Sequence, residues 1–211
     1  MKKLMSLLMV IVFATVLNAV PLYKGEPEVS DTAAKRNTTG SVYAMKGGLL
    51  GRHCSMHCVM DWGIKASSNA EGNSISMIDD NNTETAWMPE KGNGVGQSIT
   101  FNLNRKYFGR CVEKTKKMSI KWNGFKVING WMKDGQIWTD YSRVSVMKVY
   151  KNGKAVCKVQ LRDMKNWQTV KFASPITLKP DDKVKVVITE IFTGFRNDQA
   201  AMTELVLNAE H

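Results

Sequence analysis

The chain has 211 residues and a formal net charge of +11, a length that suits one domain of ordinary size with tails and excludes a large multidomain protein. The positive excess favours anionic partners, whether acidic glycan, anionic lipid or nucleic acid held without sequence preference. No polybasic run or nucleic-acid motif is present, which excludes specific nucleic-acid recognition; the lysines fall along predicted strands, where exposed faces need them for solubility.

Residues 1–19 read as an export signal. Lys2 and Lys3 open the chain, and residues 4–17 form an apolar run too short to span a bilayer comfortably. Asn18-Ala19 provides a cleavage end; cleavage after Ala14 and a retained anchor are the alternatives. No cysteine follows the apolar run, so a bacterial lipid anchor is not expected, and the predicted location is secreted or periplasmic. Residues 20–46 mix Pro, Glu, Lys, Ser, Thr and Gly without apolar period and are expected to be a flexible leader. The folded domain is expected over residues 47–208.

The four cysteines, Cys54, Cys58, Cys111 and Cys157, are an even count in an exported chain and suggest disulfides. Three pairings are possible, and Cys54–Cys58 with Cys111–Cys157 is the favoured one. The first closes a tiny loop worth at most about 2 kcal/mol, the second a long one worth up to about 4 kcal/mol on a chain-entropy model. His53, Cys54, His57 and Cys58 are also zinc-ligand types. Tetrahedral zinc sites usually draw on two separated segments, however, and thiols in an oxidising compartment tend to pair.

Residues 80–87 form a tight, oxygen-rich loop that runs into Trp87. Asp80, Asn82 and Thr85 offer side-chain oxygens, while Asn81 and Asn82 tolerate the backbone angles that turn carbonyls inward. A hard cation such as calcium takes about six to eight oxygens from such a turn. The same residues also form ordinary Asx turns without metal.

Short alternating runs follow. Ile99, Phe101 and Leu103 alternate with polar residues, as do Met118, Ile120 and Trp122. Residues 143–150 and 155–161 flank Lys151-Asn152-Gly153-Lys154, where Asn-Gly predicts a hairpin with a primed turn. Val170 with Phe172, then Val184, Val186 and Ile188, then Leu205 and Leu207 complete the pattern. No sustained 3.6-residue period appears, so the domain is predicted to be an all-β sandwich.

Several motifs carry a resemblance: Cys54-Ser55-x-x-Cys58 followed by Ala66-Ser67-Ser68; Asp80 to Trp87; Asn129-Gly130-Trp131-x-Lys133 with Trp138; Tyr141-Ser142-Arg143-Val144; the hairpin; and Asn197-Asp198 leading to Thr203-Glu204-Leu205. Over residues 47–208 the chain resembles discoidin-like (coagulation factor 5/8 type C) domains. In particular it resembles the translocation, or glycan-binding, domain of NAD glycohydrolase toxins. It departs from the family pattern at Asn81, often Gly, and at Tyr141, in place of Asn. The resemblance implies an eight-stranded antiparallel jelly roll of the galactose-binding-like type. It also implies that Glu204 folds back beside the Asp80 loop and completes a structural calcium site with Asp80, Asn82 and Thr85. In those toxins NAD glycohydrolase activity resides in a separate catalytic domain, which this chain is expected to lack.

His53, His57 and His211 have no evident catalytic partners, and no G-x-S-x-G, Walker A or H-E-x-x-H motif occurs. No enzyme is expected. Sugar recognition needs an aromatic face and fixed polar groups. Trp131, Trp138 and Tyr141 lie close to Lys133, Asp140 and Arg143 in a stretch whose Gly and Asp content marks loops. Trp138 is the first choice for stacking. Arg143 is the second choice, or else a structural anchor that opens the Val144 strand. Phe195 and Arg196 are the next rim candidates, Trp87 is expected in the core, and Trp131 and Trp138 could also be core or loop plugs. The expected function is glycan binding, with an anionic glycan favoured by the charge. The alternatives are a protein-interaction or toxin-secretion accessory scaffold and, less expected, attachment to anionic lipid.

Overall fold

The computed structural model describes residues 20–27, 63–80, 82–90, 92–103 and 119–210. The expected signal over residues 1–19, His53, Cys54, His57, Cys58, Trp62, Asn81 and Cys111 lie outside the described residues.

Alternation of apolar and polar residues produces strands, as the sequence predicts. They are β1 (Leu22–Pro27), β2 (Lys65–Ala66), β3 (Ser98–Asn102), β4 (Ile120–Asn129), β5 (Tyr141–Lys151), β6 (Lys154–Gln160), β7 (Gln168–Leu178), β8 (Lys183–Phe192) and β9 (Asn197–Glu210). One sheet runs β2-β3-β8-β5-β6 and the other β7-β4-β9. Two strands join them at the corners. β1 lies parallel to β6 over residues 22–24 and antiparallel to β7 over residues 25–27. β9 starts parallel to β5 and continues antiparallel to β4. Each corner strand thus satisfies backbone groups of both sheets and removes edges that would otherwise stay open.

The inward positions build a single core between the sheets. Val184, Val186 and Ile188 lie beside Ile99, Phe101, Met147 and Val149 on the first sheet and pack with Phe125, Val127, Val170, Leu205 and Leu207 of the second. Trp122, Phe125 and Phe172 pack edge to face, with centroids 4.8–5.9 Å apart. Trp87 is fully buried, as expected. Cys157 sits in the same core as a free thiol, and burial pushes its pKa up to about 12, so it has little thiolate character.

Asn152 (φ 49°) and Gly153 (φ 81°) form the predicted primed turn between β5 and β6. The all-β sandwich is as expected, with nine strands described rather than eight. Two local expectations are corrected. Residues 22–27 of the expected leader are β1: only Tyr23 and Gly25 turn inward, so the strand shows no hydrophobic period, yet Tyr23 stacks on Phe172 at 5.0 Å. Residues 135–140, read as loop, form a short helix, α1 (Gly135–Asp140), because Asp134 caps it by accepting from the Ile137 N–H at 2.7 Å.

Candidate functional site

The loops at one end of the sandwich hold most of the sequence-predicted binding residues. Asn129, fully buried at the end of β4, clamps β4 to β5. Its Nδ2 donates to the Val144 carbonyl at 2.7 Å and its Oδ1 accepts from the Val144 N–H at 3.0 Å. Gly130 follows at φ 83°, where a Cβ would meet Trp138 Nε1 and Arg143 Cγ at 2.7 Å. The Asn-Gly pair here serves close packing rather than a hairpin.

That packing corrects the roles of Trp138 and Arg143. Trp138, on α1, is 8% exposed, and its Nε1 donates to the Asn129 carbonyl at 2.9 Å. Arg143 Cζ lies 4.4 Å and Lys165 Nζ 5.2 Å from its ring. Arg143 is 6% exposed and forks onto Asp163 at 2.7 and 2.9 Å while donating to the Tyr141 carbonyl at 2.8 Å. Both side chains hold this end together from inside. The anchor alternative for Arg143 and the plug alternative for Trp138 are what the geometry shows.

The outer layer is different. Trp131 and Tyr141 are half-buried and meet in a T-shape at 5.2 Å, over a small cluster of Ala86, Met88 and Ala201. Lys133 Nζ reaches to 5.9 Å from the Trp131 ring. Residues 193–196 lie against them. The Phe195 N–H donates to the Thr139 carbonyl at 2.9 Å, the Arg196 N–H to the Asp140 carbonyl at 3.1 Å, and the Arg196 side chain pairs with Asp140 at 3.6 Å. Gly194 is required there, because a Cβ would overlap the Asp140 carbonyl and the Tyr141 backbone. The loop thereby presents Phe195, 83% exposed, with its backbone against the end of α1.

The Asp80 loop closes on itself. Asp80 accepts from the Asn82 N–H at 2.9 Å and from Thr85 Oγ1 at 2.7 Å, and Asn82 Oδ1 accepts from the Glu84 N–H at 3.0 Å. Burial, then the Asp80 charge, pushes Asp79 up to about 7. Trp87 and Met202 exchange backbone hydrogen bonds at 2.9 and 3.0 Å, which lays the end of the loop along β9, two residues from buried Glu204. Among the described residues no three of His, Cys, Asp and Glu cluster as a metal site. Trp131 Nε1 donates to the Glu84 carbonyl at 2.8 Å and so ties this loop to the aromatic surface.

Asp163 and Lys165, which complete the Trp138–Arg143 packing, were missed because they lie in the β6–β7 connection, remote in sequence from the residues they touch. No local signal marks them.

An antiparallel sandwich whose loops gather aromatic and charged side chains at one end defines a discoidin-like module. The chain belongs to the NAD glycohydrolase translocation F5/8 type C domain family, whose model matches residues 54–208. Among solved structures it is similar to the CBM32-1 and CBM32-2 domains of Clostridium perfringens ZmpB in complex with GalNAc. That match has a TM-score of 0.53 at 12% identity, covering 89% of this chain and 39% of that one. It is also similar to the family 32 CBM of C. perfringens NanJ in complex with galactose, with a TM-score of 0.48 at 21% identity, covering 70% of this chain and 93% of that one. No curated protein sequence matches it significantly.

Proposed function

We propose that this domain is an exported, non-catalytic module that binds glycan at its loop end. The observation that carries this reading is Phe195, 83% exposed on a loop whose backbone is hydrogen-bonded to α1, the helix that leads into Tyr141. A flat apolar ring held in place suits the C–H face of a sugar, and Arg196, Lys133 and Asp140 supply polar groups for hydroxyls or a carboxylate. Asp80, Asn82, Thr85 and Glu204 are the oxygen donors we propose for a calcium ion, which would brace the loop to which Trp131 is bonded. The second reading, a docking scaffold in toxin translocation, is favoured by the family to which the chain belongs.

The test is titration of wild type and Phe195→Ala with galactose, GalNAc and acidic oligosaccharides, GalNAc being the sugar in the ZmpB complex. Wild type should bind one of them weakly, at about millimolar and thus about 4 kcal/mol. Phe195→Ala should stay folded and lose measurable binding. A wild type that binds no sugar removes the glycan reading and leaves the scaffold; normal binding by Phe195→Ala moves the site elsewhere.

A further inference from the structure

The outward face of the first sheet carries a feature that the loop end does not explain. Where Val184, Val186 and Ile188 point into the core, Lys183, Lys185 and Val187 point out. Pairing aligns Thr100 with Lys185 and Lys185 with Tyr150. It also sets Lys148 opposite Val187 on one side and opposite Lys158 on the other. A groove of about 510 Å³ lies over this register, lined by Thr100, Tyr150, Asn152, Lys183, Lys185 and Val187. Lys148 Nζ stands 5.4 Å from the ring of half-buried Tyr150 at its side.

Among the described residues these charges are not compensated. Among the described residues none of Lys148, Lys158, Lys183 and Lys185 forms an ion pair. The neighbouring acid, Asp182, is already engaged by Lys151 at 3.1 Å, by Asn152 at 2.6 Å and by the Lys179 N–H at 2.8 Å. Lys148 and Lys158 stand directly across a strand pair, an arrangement of like charges that disfavours the fold. An anionic ligand would convert that repulsion into attraction. Side chains two apart on a strand are about 6.7 Å apart and neighbouring strands about 4.8 Å, so the ammonium groups recur at intervals comparable with a sugar residue.

We propose that this face is a second binding site, sharing no residue with the loop end, for a linear acidic oligosaccharide bearing carboxylate or sulfate groups. Tyr150 supplies the ring against which a sugar packs, Lys148, Lys183 and Lys185 neutralise its acidic groups, and Thr100 and Asn152 reach its hydroxyls. A groove of this volume is in the range of small-ligand clefts and takes a few sugar units. The large apolar side chains exposed among the described residues are Leu22, Val95 and Phe195, and none lines it, so it offers nothing to enter a bilayer.

Calorimetry of the full chain with sulfated and uronate oligosaccharides, a neutral oligosaccharide, anionic phosphatidylserine vesicles and duplex DNA tests the site. Wild type should bind an acidic oligosaccharide and not the neutral one at this face, with affinity falling as salt rises. The double variant Lys183→Ala, Lys185→Ala should bind about tenfold more weakly with unchanged melting. Tyr150→Ala should weaken binding that persists at high salt. Lys121→Ala with Lys171→Ala on the opposite sheet should leave acidic-oligosaccharide binding unchanged. No binding of any acidic oligosaccharide, an equal loss in the opposite-sheet variant, or tighter binding of vesicles or DNA would each overturn the proposal.

Discussion

Arg143 directs its guanidinium into the protein: Nε and Nη2 donate to Asp163, and Nη1 to the carbonyls of Tyr141 and Trp138. Arg143→Ala leaves Asp163 and two carbonyls without that donor and opens a space beside Trp138. It should cost about 3 kcal/mol in urea denaturation. Arg143→Lys should recover only part of this, because an ammonium cannot fork onto a carboxylate. A variant as stable as wild type would show the fork to be dispensable. Asp182 makes a pH prediction. Burial pushes its carboxyl up, but hydrogen bonds from Asn152, the Lys179 N–H and Lys151, with the Lys151 charge, outweigh burial and hold its pKa low. A depressed acid stabilises the fold above its unfolded pKa, and that contribution is lost as pH falls through the folded value. Stability should therefore drop on acidification below about pH 4. Asp182→Asn should be less stable at neutral pH and show a shallower acid loss; parallel acid profiles for the two proteins would count against this.

At the scale of elements, β4 is the strand most constrained by one residue. Gly124 lies at φ 146° at the bulge after Trp122, and a Cβ there would overlap the Val170 carbonyl. The bulge aligns Trp122 with Phe172 on one side and lets β4 pair with both β7 and β9. Gly124→Ala should cost about 3 kcal/mol or more in chemical denaturation, since backbone cannot yield as a flexible side chain does. A loss below about 1 kcal/mol, or the gain of up to about 1 kcal/mol that Gly→Ala gives in an ordinary strand, would mean that the bulge relaxes. α1 shows the converse economy of means. Its single turn exists through one aspartate cap, and it carries Trp138 under the Asn129 clamp.

At the scale of the whole molecule, the Asp80 loop, β9 and the aromatic end are connected in series. Trp87 bonds to Met202, and Glu84 accepts from Trp131. If calcium occupies the proposed loop site, it should raise the melting temperature, with about 2.7 kcal/mol at a hundredfold excess over its dissociation constant. It should also shift the fluorescence of Trp131 and tighten sugar binding, and Asp80→Ala should abolish all three effects. Identical melting curves in calcium and in chelator would remove the metal. The two proposed sites lie on different surfaces, so the loop-end variant and the lysine variant should act independently.

Period-two hydrophobicity, Asn152-Gly153 and the ordered motifs were enough to determine the all-β sandwich, its one clear hairpin and the family, because strand faces and primed turns are written in local sequence. The segment containing Trp131, Tyr141 and Phe195 was legible as a candidate surface for the same reason. Which of its aromatics is exposed was decided by tertiary structure. Trp138 and Phe195 look alike in sequence, but Asn129, Gly130, Asp163 and Lys165 arrive from two other stretches to bury the first. β1 was hidden because its value lies in backbone bonds to two sheets rather than in side chains. The lysines read as scattered solubilising charges. Only the pairing of β3, β8, β5 and β6, set by register between segments far apart in the chain, brings them onto one face.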